Sequence, residues 1–191
     1  MLIHAVEETS AARAIQDTIP ENHCVGCGPD NPHGLRIKSY WVGDLETMCS
    51  YQPKPYMAAG PESILNGGII ATLLDCHAVC TAISYAVRLA GHGDARNVMF
   101  VTGSLDIRYR RPTPIGRPVE VRARIVGVGE RKTVLECTLS SEGRVCAEAT
   151  VVAVRVAGEG ADQPQRVPPP AQTIGGWKVA TYPPQPLSKT A

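Results

Sequence analysis

The chain has 191 residues, a length typical of about one domain, and its 43% hydrophobic and 19% charged residues indicate a globular protein rather than a disordered one. Its 19 basic and 18 acidic side chains leave a formal charge of +1, which excludes a broadly basic nucleic-acid-binding protein and gives no reason to expect docking on anionic membranes. With two Trp, six Tyr and one Phe, the core must be built mainly from Val, Ile, Leu and Ala.

The cysteines and the N-terminus predict a cytoplasmic protein. Seven cysteines are an odd number for a disulfide framework, and residues 1–10 contain His4, Glu7 and Glu8 where a signal peptide has an apolar run. We therefore expect free thiols in a reducing compartment.

The first third of the chain predicts a short helix followed by two strands. A modest helical pattern over residues 11–19 ends at Pro20, and a turn-rich segment follows over residues 23–34. Residues 35–42 alternate Leu and Ile with Arg and Lys, as a half-buried strand does, and residues 46–52 form a plausible partner strand across a Gly-Asp turn.

A long apolar stretch, residues 64–87, predicts a buried helix. It is long enough to cross a bilayer, but polar side chains such as Asp75 interrupt it, so we expect a core helix and no membrane span. The helix should begin at Asn66, run to about Leu89 and end at Gly91.

After this helix the hydrophobic period changes from helical to alternating, which predicts four strands over residues 104–110, 119–125, 133–139 and 145–156. Short glycine-containing connections between the later strands predict antiparallel neighbours. Two strands, one long helix and four strands predict an α+β fold in which one antiparallel sheet wraps around one central helix.

The chain divides into three parts by composition. Residues 1–22 form an N-terminal extension, residues 23–156 the core domain and residues 157–191 a Pro-rich C-terminal extension. The last part is either a disordered tail or a segment that docks on the core, with Trp177 and Tyr182 as the expected anchors.

Three motifs in the core domain occur in the order found in a known family. Residues 24–35 read Cys-Val-Gly-Cys-Gly-Pro-Asp-Asn-Pro-His-Gly-Leu, residues 66–75 read Asn-Gly-Gly-Ile-Ile-Ala-Thr-Leu-Leu-Asp, and residues 101–112 end in Tyr-Arg-Arg-Pro. Together they resemble the PaaI-like acyl-CoA thioesterases. The resemblance covers roughly residues 23–156 and implies a hotdog fold and hydrolysis of an acyl-CoA thioester.

Asp75 is the first candidate catalytic residue. A carboxylate inside an apolar helix costs free energy unless it is paired or faces a water-filled site, so the bland interpretation is pairing with a backbone group or an arginine. The resemblance implies that Asp75 is the general base or the nucleophile.

The helix start supplies the second candidate group. Free N–H groups at a helix N-terminus can act as an oxyanion hole, and the resemblance assigns the donor to Gly67, with Gly68 beside the substrate. A loop-to-helix turn that merely requires glycine is the alternative. The family usually has His where this chain has Asn66; because Asn is a strong N-cap, Asn66 should keep the helix start in place, and we count it among the catalytic candidates.

Thr102 aligns with a hydroxyl residue that holds the water or the acid in related enzymes. Simple alternation puts Thr102 on the polar face of its strand with Ser104, but a β-bulge at Gly103 would turn it toward the helix. An ordinary strand threonine is the alternative.

The spacing of the two catalytic candidates predicts an oligomer. Gly67 and Asp75 are eight residues apart, which is about 12 Å along one helix. Because one thioester carbon must lie near both groups, two antiparallel helices across a two-fold axis serve better than one, and we expect a homodimer or a dimer of dimers with shared sites.

Six arginines and two acids between residues 101 and 124 form a basic segment that suits the phosphates of coenzyme A. Arg110 and Arg111 are the preferred candidates, followed by Arg108. For each of them a solvated strand face is the alternative.

No metal or redox cofactor is expected, with coenzyme A entering only as part of the substrate. Cys24 and Cys27 form a C-x-x-C pair, but a structural zinc site usually has two such pairs and the sequence has no second one. Cys76 and Cys80 are expected to be small core residues, and His77, two positions from Asp75, should point to another helix face.

The sequence thus predicts an acyl-CoA thioesterase, with a non-catalytic acyl-CoA or small-ligand-binding hotdog protein as the alternative because of Asn66. A hotdog dehydratase is less favoured because no His/Asp hydratase-type motif is found. A zinc-linked interaction module is the least favoured interpretation.

Overall fold

Six strands and one long helix form the framework of the molecule. The computed structural model describes residues 13–91, 95–156, 172–174 and 177–179. In chain order the elements are β1 (Ser39–Trp41), β2 (Glu46–Tyr51), α1 (Gly67–Ala90), β3 (Met99–Tyr109), β4 (Val119–Val128), β5 (Lys132–Ser141) and β6 (Arg144–Val156). Short 3-10 turns lie at Ile15–Thr18 and Pro55–Met57, and two further strands, β7 (Gln172–Ile174) and β8 (Trp177–Val179), form a separate pair.

The six main strands form one antiparallel sheet in the order β1-β2-β4-β5-β6-β3. Helix α1 packs on this sheet, chiefly against β3, β4, β5 and β6. The predicted α+β arrangement of one antiparallel sheet around one long helix is therefore confirmed. Strand β3 follows the helix in the chain but lies at the far edge, where it pairs with β6.

Alternating side chains make the core between the helix and the sheet. On β4, Val121 and Ala123 are fully buried while the arginines between and beside them are exposed, and Leu73 and Leu74 of α1 are fully buried against the sheet. Although α1 is apolar and long enough to cross a membrane, most of its apolar window is buried in this core. Its apolar sequence therefore reflects burial in the core of the molecule.

Two predicted elements differ from the structure. The strand predicted over residues 35–42 is reduced to β1, because the Leu35 N–H donates to the Val25 carbonyl (2.7 Å) and the Ile37 N–H to the Gly26 carbonyl (3.2 Å). These two N–H groups donate to carbonyls of the turn-rich segment, so they are not available to pair with a neighbouring strand. The helix predicted over residues 11–19 is a 3-10 turn in its described part.

The flanking segments meet the core at both ends. Ile15, in the segment predicted as an N-terminal extension, is 3% exposed and belongs to the hydrophobic core. Strand β8, which begins at Trp177, lies beside β4. The second expected anchor, Tyr182, lies outside the described residues.

A buried polar chain links the N-terminal segment to α1 through two strands. Gln16 and Ser39 exchange two hydrogen bonds (2.8 and 2.7 Å), and the Ser39 hydroxyl contacts His77 Nδ1 at 2.8 Å. On the other side of the ring, Thr47 Oγ1 lies 3.1 Å from His77 Nε2 and 2.6 Å from the Thr81 hydroxyl. Because both ring nitrogens are occupied in a buried site, His77 has a structural role and does not contact Asp75.

His77 should make the stability of the fold depend on pH. Burial lowers the pKa of His77 from 6.5 to about 4, so the unfolded chain takes up this proton at a higher pH than the folded chain. The free energy of unfolding should therefore be highest above pH 6.5 and fall by roughly 3 kcal/mol as the pH decreases toward 4. Chemical denaturation followed by circular dichroism measures this dependence. His77→Gln should flatten it, and an equally steep decrease in that variant would contradict the assignment.

Candidate active site

The start of α1 is fixed by Asn66. Its side-chain Oδ1 accepts a hydrogen bond from the Gly68 N–H at 2.7 Å, and its backbone carbonyl accepts from the amides of Ile69 and Ile70. The Asn66 N–H in turn donates to the Met57 carbonyl at 3.0 Å. Asn66 is therefore the N-cap expected from the sequence, and it holds the first turn of the helix to the loop before it.

Gly67, the first residue of the helix, keeps its N–H available. Among the described residues this N–H makes no hydrogen bond, whereas its carbonyl accepts from the Tyr109 hydroxyl at 2.8 Å. Gly67 lines a cleft of about 480 Å³ together with Arg110 and Arg111. An unpaired amide at the positive end of a 24-residue helix can donate to a developing oxyanion.

Asp75 is held by a strand residue. The Thr102 hydroxyl donates to Asp75 Oδ1 at 2.6 Å, and Asp75 is half-buried. The pairing of β3 with β6 shifts register between Thr102 and Ser104, which is the β-bulge predicted at Gly103. A Cβ on Gly103 would lie 2.6 Å from a methyl carbon of Val154, so glycine is required for this bulge. The bulge is what turns Thr102 toward the helix.

The Asp75–Thr102 pair opens into a second cleft, of about 490 Å³. Apolar side chains of α1 and the segment entering β3 line much of it, among them Val79, Ile83 and Phe100. A carboxylate with one oxygen bonded and an apolar wall beside it is a suitable base for a substrate that carries an acyl group.

Within one chain the two candidate groups do not converge. Gly67 and Asp75 line different clefts, and eight helical residues separate them by about 12 Å. An acyl carbon would have to lie about 3 Å from both the donor and the base, which this separation does not allow.

The three arginines occupy different places. Arg110 forms an ion pair with Glu148 (2.7 Å), and Arg111 donates to the Val145 carbonyl (2.7 Å); both residues line the cleft at Gly67. Arg108 alternates along β3 with Ile107, which is partly buried and packs against the core, so Arg108 lies on the outer face of the sheet, away from Asp75.

Four thiols meet beside Asp75, a cluster that sequence reasoning missed. Cys24 Sγ and Cys76 Sγ are 3.6 Å apart, and the Sγ atoms of Cys24, Cys27 and Cys76 all lie within 4.8 Å of one another. Hydrogen bonds from the Cys76 and Cys80 thiols lower the pKa of Cys27, and a hydrogen bond from Cys76 also lowers the pKa of Cys24. Thiolate ligands of this kind could hold a soft metal ion.

Comparisons with known proteins identify the family. The sequence model of the thioesterase superfamily matches residues 62–148, from the loop before α1 into β6. A crystal structure of a thioesterase superfamily protein from Shewanella loihica PV-4 is 35% identical to this chain, with a TM-score of 0.52, and the match covers 66% of this chain and 96% of that one. This chain belongs to the thioesterase superfamily.

Other members of the superfamily agree with this placement. The PaaI protein of the E. coli phenylacetic acid degradation operon has the same fold (TM-score 0.54, 16% identity, covering 65% of this chain and 82% of that one). The acyl-coenzyme A thioesterase THEM4 of Xenopus laevis is 31% identical over 119 residues, covering 61% of this chain and 48% of that protein. The chain spans about half the length of the curated relatives it matches. The predicted resemblance to PaaI-like hotdog thioesterases is confirmed.

Removal of the Asn66 cap should destabilise the helix start. Asn66→Ala leaves the Gly68 N–H without its acceptor and should cost about 1 kcal/mol of stability, which lowers the thermal midpoint by about 2–4 °C for a chain of this size. Asn66→Ser, which keeps a capping oxygen, is the control. Differential scanning calorimetry of the three proteins measures the effect, and equal midpoints for Asn66→Ala and wild type would contradict the capping role.

Proposed function

We propose that this chain hydrolyses an acyl-CoA thioester to a free acid and coenzyme A. The observation that carries the proposal is the Asp75 carboxylate, held by Thr102 at the wall of an apolar cleft. Membership of the thioesterase superfamily and the similarity to a relative named as an acyl-coenzyme A thioesterase support it. None of the seven cysteines forms a disulfide, which supports a cytoplasmic location.

Asp75 acts as general base or nucleophile. Its Oδ1 accepts the Thr102 hydrogen bond, which leaves Oδ2 to accept a proton from water or to attack the thioester carbon. In the first route the water oxygen bonds to the carbonyl carbon, Asp75 takes the proton, and the C–S bond breaks to release the coenzyme A thiolate, which is then protonated. This route needs no metal or redox cofactor.

Gly67 of a second copy supplies the oxyanion donor. The proposal follows from the separation of Gly67 and Asp75 within one chain and from the unused Gly67 N–H. Because the developing negative charge appears on the thioester oxygen, a fixed amide at the helix N-terminus stabilises the transition state more than the substrate.

Edge strand β3 is the surface on which the second copy would pair. In the described part of the chain no strand lies on its outer side, and Met99, Val101 and Tyr109 are 54%, 45% and 54% exposed. A long edge with apolar side chains invites pairing with another strand. A dimer formed here is our proposal, and pairing of two such dimers would give a tetramer.

The proposed pairing brings the two groups together. In an antiparallel pair of β3 strands about a two-fold axis near Ser104, the Tyr109 end of one strand lies beside the Met99 end of the other. Tyr109 holds Gly67, and Thr102 holds Asp75 close to the Met99 end. Each Asp75 therefore approaches Gly67 of the second copy.

Arg110 and Arg111 are proposed to meet the phosphates of coenzyme A, because they lie at the cleft that contains Gly67. Arg108, on the outer face of the sheet, is the weakest of the three candidates. The non-catalytic alternative rests on Asn66, which puts a neutral amide where the family usually has an imidazole.

Replacement of Asp75 tests the catalytic proposal. Asp75→Asn keeps the size of the side chain but removes the base, and kcat should fall by about 10²- to 10⁴-fold. Hydrolysis of short-chain, long-chain and aromatic acyl-CoAs is followed by chromatographic separation of coenzyme A. Asp44→Asn, at an exposed position between β1 and β2, is the control and should retain full activity. Equal turnover by Asp75→Asn would exclude Asp75, and binding without turnover by wild type would favour the non-catalytic alternative.

A pair of substitutions at Gly67 tests the oxyanion donor. Gly67→Pro removes the N–H at the helix position where proline is best tolerated, and it should lower kcat by about 10²- to 10³-fold with little loss of stability. Gly67→Ala keeps the N–H and should retain most activity. A similar loss in both variants would point to crowding against Tyr109, whose hydroxyl would lie 3.4 Å from the new Cβ.

Mixing the two inactive variants tests whether the site is shared. A heterodimer of Asp75→Asn and Gly67→Pro chains contains one site with both native groups, so random exchange of equal amounts should restore about a quarter of wild-type activity. If base and donor came from the same chain, mixing would restore nothing.

A further inference from the structure

We propose that Cys24, Cys27 and Cys76 bind a thiophilic divalent metal ion, Zn²⁺ in the cell, which ties the turn before β1 to helix α1 directly beneath Asp75. The four cysteines of this region, including Cys80, come from two parts of the chain that the fold brings together. The site lies outside the proposed hydrolytic route, and the inference does not depend on that route.

The distances between the sulfur atoms fit an ion better than a disulfide. Zinc–thiolate bonds of about 2.3 Å place two ligands of a tetrahedral site about 3.8 Å apart. Cys24 Sγ and Cys76 Sγ are 3.6 Å apart, and the three Sγ atoms all lie within 4.8 Å of one another. A disulfide needs about 2.05 Å between its sulfurs. An ion can thus be accommodated with small movements of side chains.

Glycines in the turn allow the thiol of Cys76 on α1 to approach Cys24 and Cys27. Cys24 and Cys27 have the C-x₂-C spacing of zinc knuckles. Between them lies Gly26, where a Cβ would come within 2.3 Å of Cys76 Sγ, and after them Gly28, where a Cβ would come within 2.3 Å of the Asn22 carbonyl. A side chain at Gly26 would push the turn away from Cys76, and one at Gly28 would collide with the backbone of the turn itself.

The helix completes the ligand set. Cys76 and Cys80 are four residues apart and therefore lie on one face of α1, in the way that paired metal ligands do on helices. Cys80 is 1% exposed and its thiol contacts Cys27, but it lies outside the group of three thiols that are all within 4.8 Å of one another, so it would have to move to fill the fourth position. Cys24, which is only partly buried, leaves a path by which the ion can enter from the cleft at Asp75.

Metal content and cobalt spectroscopy of the full chain test the proposal without an activity measurement. The untagged protein, purified with a reductant and without chelator, should contain about one zinc per chain by elemental mass spectrometry. After removal of zinc, added Co²⁺ should give the intense visible bands of a tetrahedral ion and a near-ultraviolet thiolate-to-cobalt charge-transfer band. The weak spectrum of octahedral Co²⁺ would overturn the proposal.

Matched variants locate the ligands. Cys24→Ser and Cys27→Ser should each weaken Zn²⁺ binding by at least about 100-fold, more than the loss of a group that merely supports a ligand. Cys49→Ser, at an isolated thiol buried in the core, should bind the ion as wild type does. Circular dichroism of each variant establishes that it is folded, and the wild-type cobalt spectrum decides the question even if one variant does not fold. Equal binding by Cys24→Ser and Cys49→Ser, or a Cys24–Cys76 disulfide in the purified protein, would overturn the proposal.

Discussion

The hydrogen bond from Thr102 to Asp75 joins the edge strand of the sheet to the central helix, and it depends on a single backbone irregularity. Without the bulge at Gly103, alternation along β3 would direct Thr102 to solvent and leave a carboxylate on an apolar helix without its donor. With the bulge, the carboxylate is oriented at the wall of a cleft. The same hydrogen bond fixes the position of β3 relative to α1. It therefore also fixes the position of the proposed base, Asp75, relative to the edge of β3 on which we propose that a second copy pairs.

Helix α1 acts as a rigid spacer between the two polar groups that it carries. Its first turn is fixed by Asn66 and by the Tyr109 hydroxyl, and its third turn is fixed by the bond to Thr102. Rigid placement gives each group a defined direction, but it also fixes the distance between them. The second copy that we propose, related by symmetry, would resolve this geometric conflict without bending the helix.

Features that depend on neighbours in the sequence were predictable, and features that depend on which elements meet were not. The ends of α1 follow from an asparagine cap and from Gly91 in the left-handed region, both of which act within one turn. The bulge could be inferred from a glycine in a strand. By contrast, Cys24 and Cys76 are 52 residues apart, and their contact depends on how the turn folds over the helix.

The positions of the arginines were likewise not predictable from the sequence, because they depend on which strands meet. The composition of residues 101–124 reveals a basic segment, but the position of Arg108 depends on its register with Glu148 across β3 and β6. The shortened strand β1 is similar, because a preceding turn captures the amides of Leu35 and Ile37. The charge and the alternation of residues in the sequence predict which face of a strand a side chain occupies. The residue that it meets on a neighbouring strand depends on how the sheet is assembled.

The half-exposed thiol of Cys24 has a practical consequence for experiments on this protein. Cys24 lines the same cleft as Asp75, and the neighbouring thiol lowers its pKa, so in protein that has lost the proposed metal ion, alkylating and disulfide-forming reagents should react there first. The resulting adduct would fill the cleft and block the substrate. Inhibition by such reagents would then resemble the loss of a nucleophilic cysteine, although the sulfur takes no part in the proposed hydrolysis. Chromogenic thiol reagents present during turnover would therefore inactivate the protein whose product they are meant to detect.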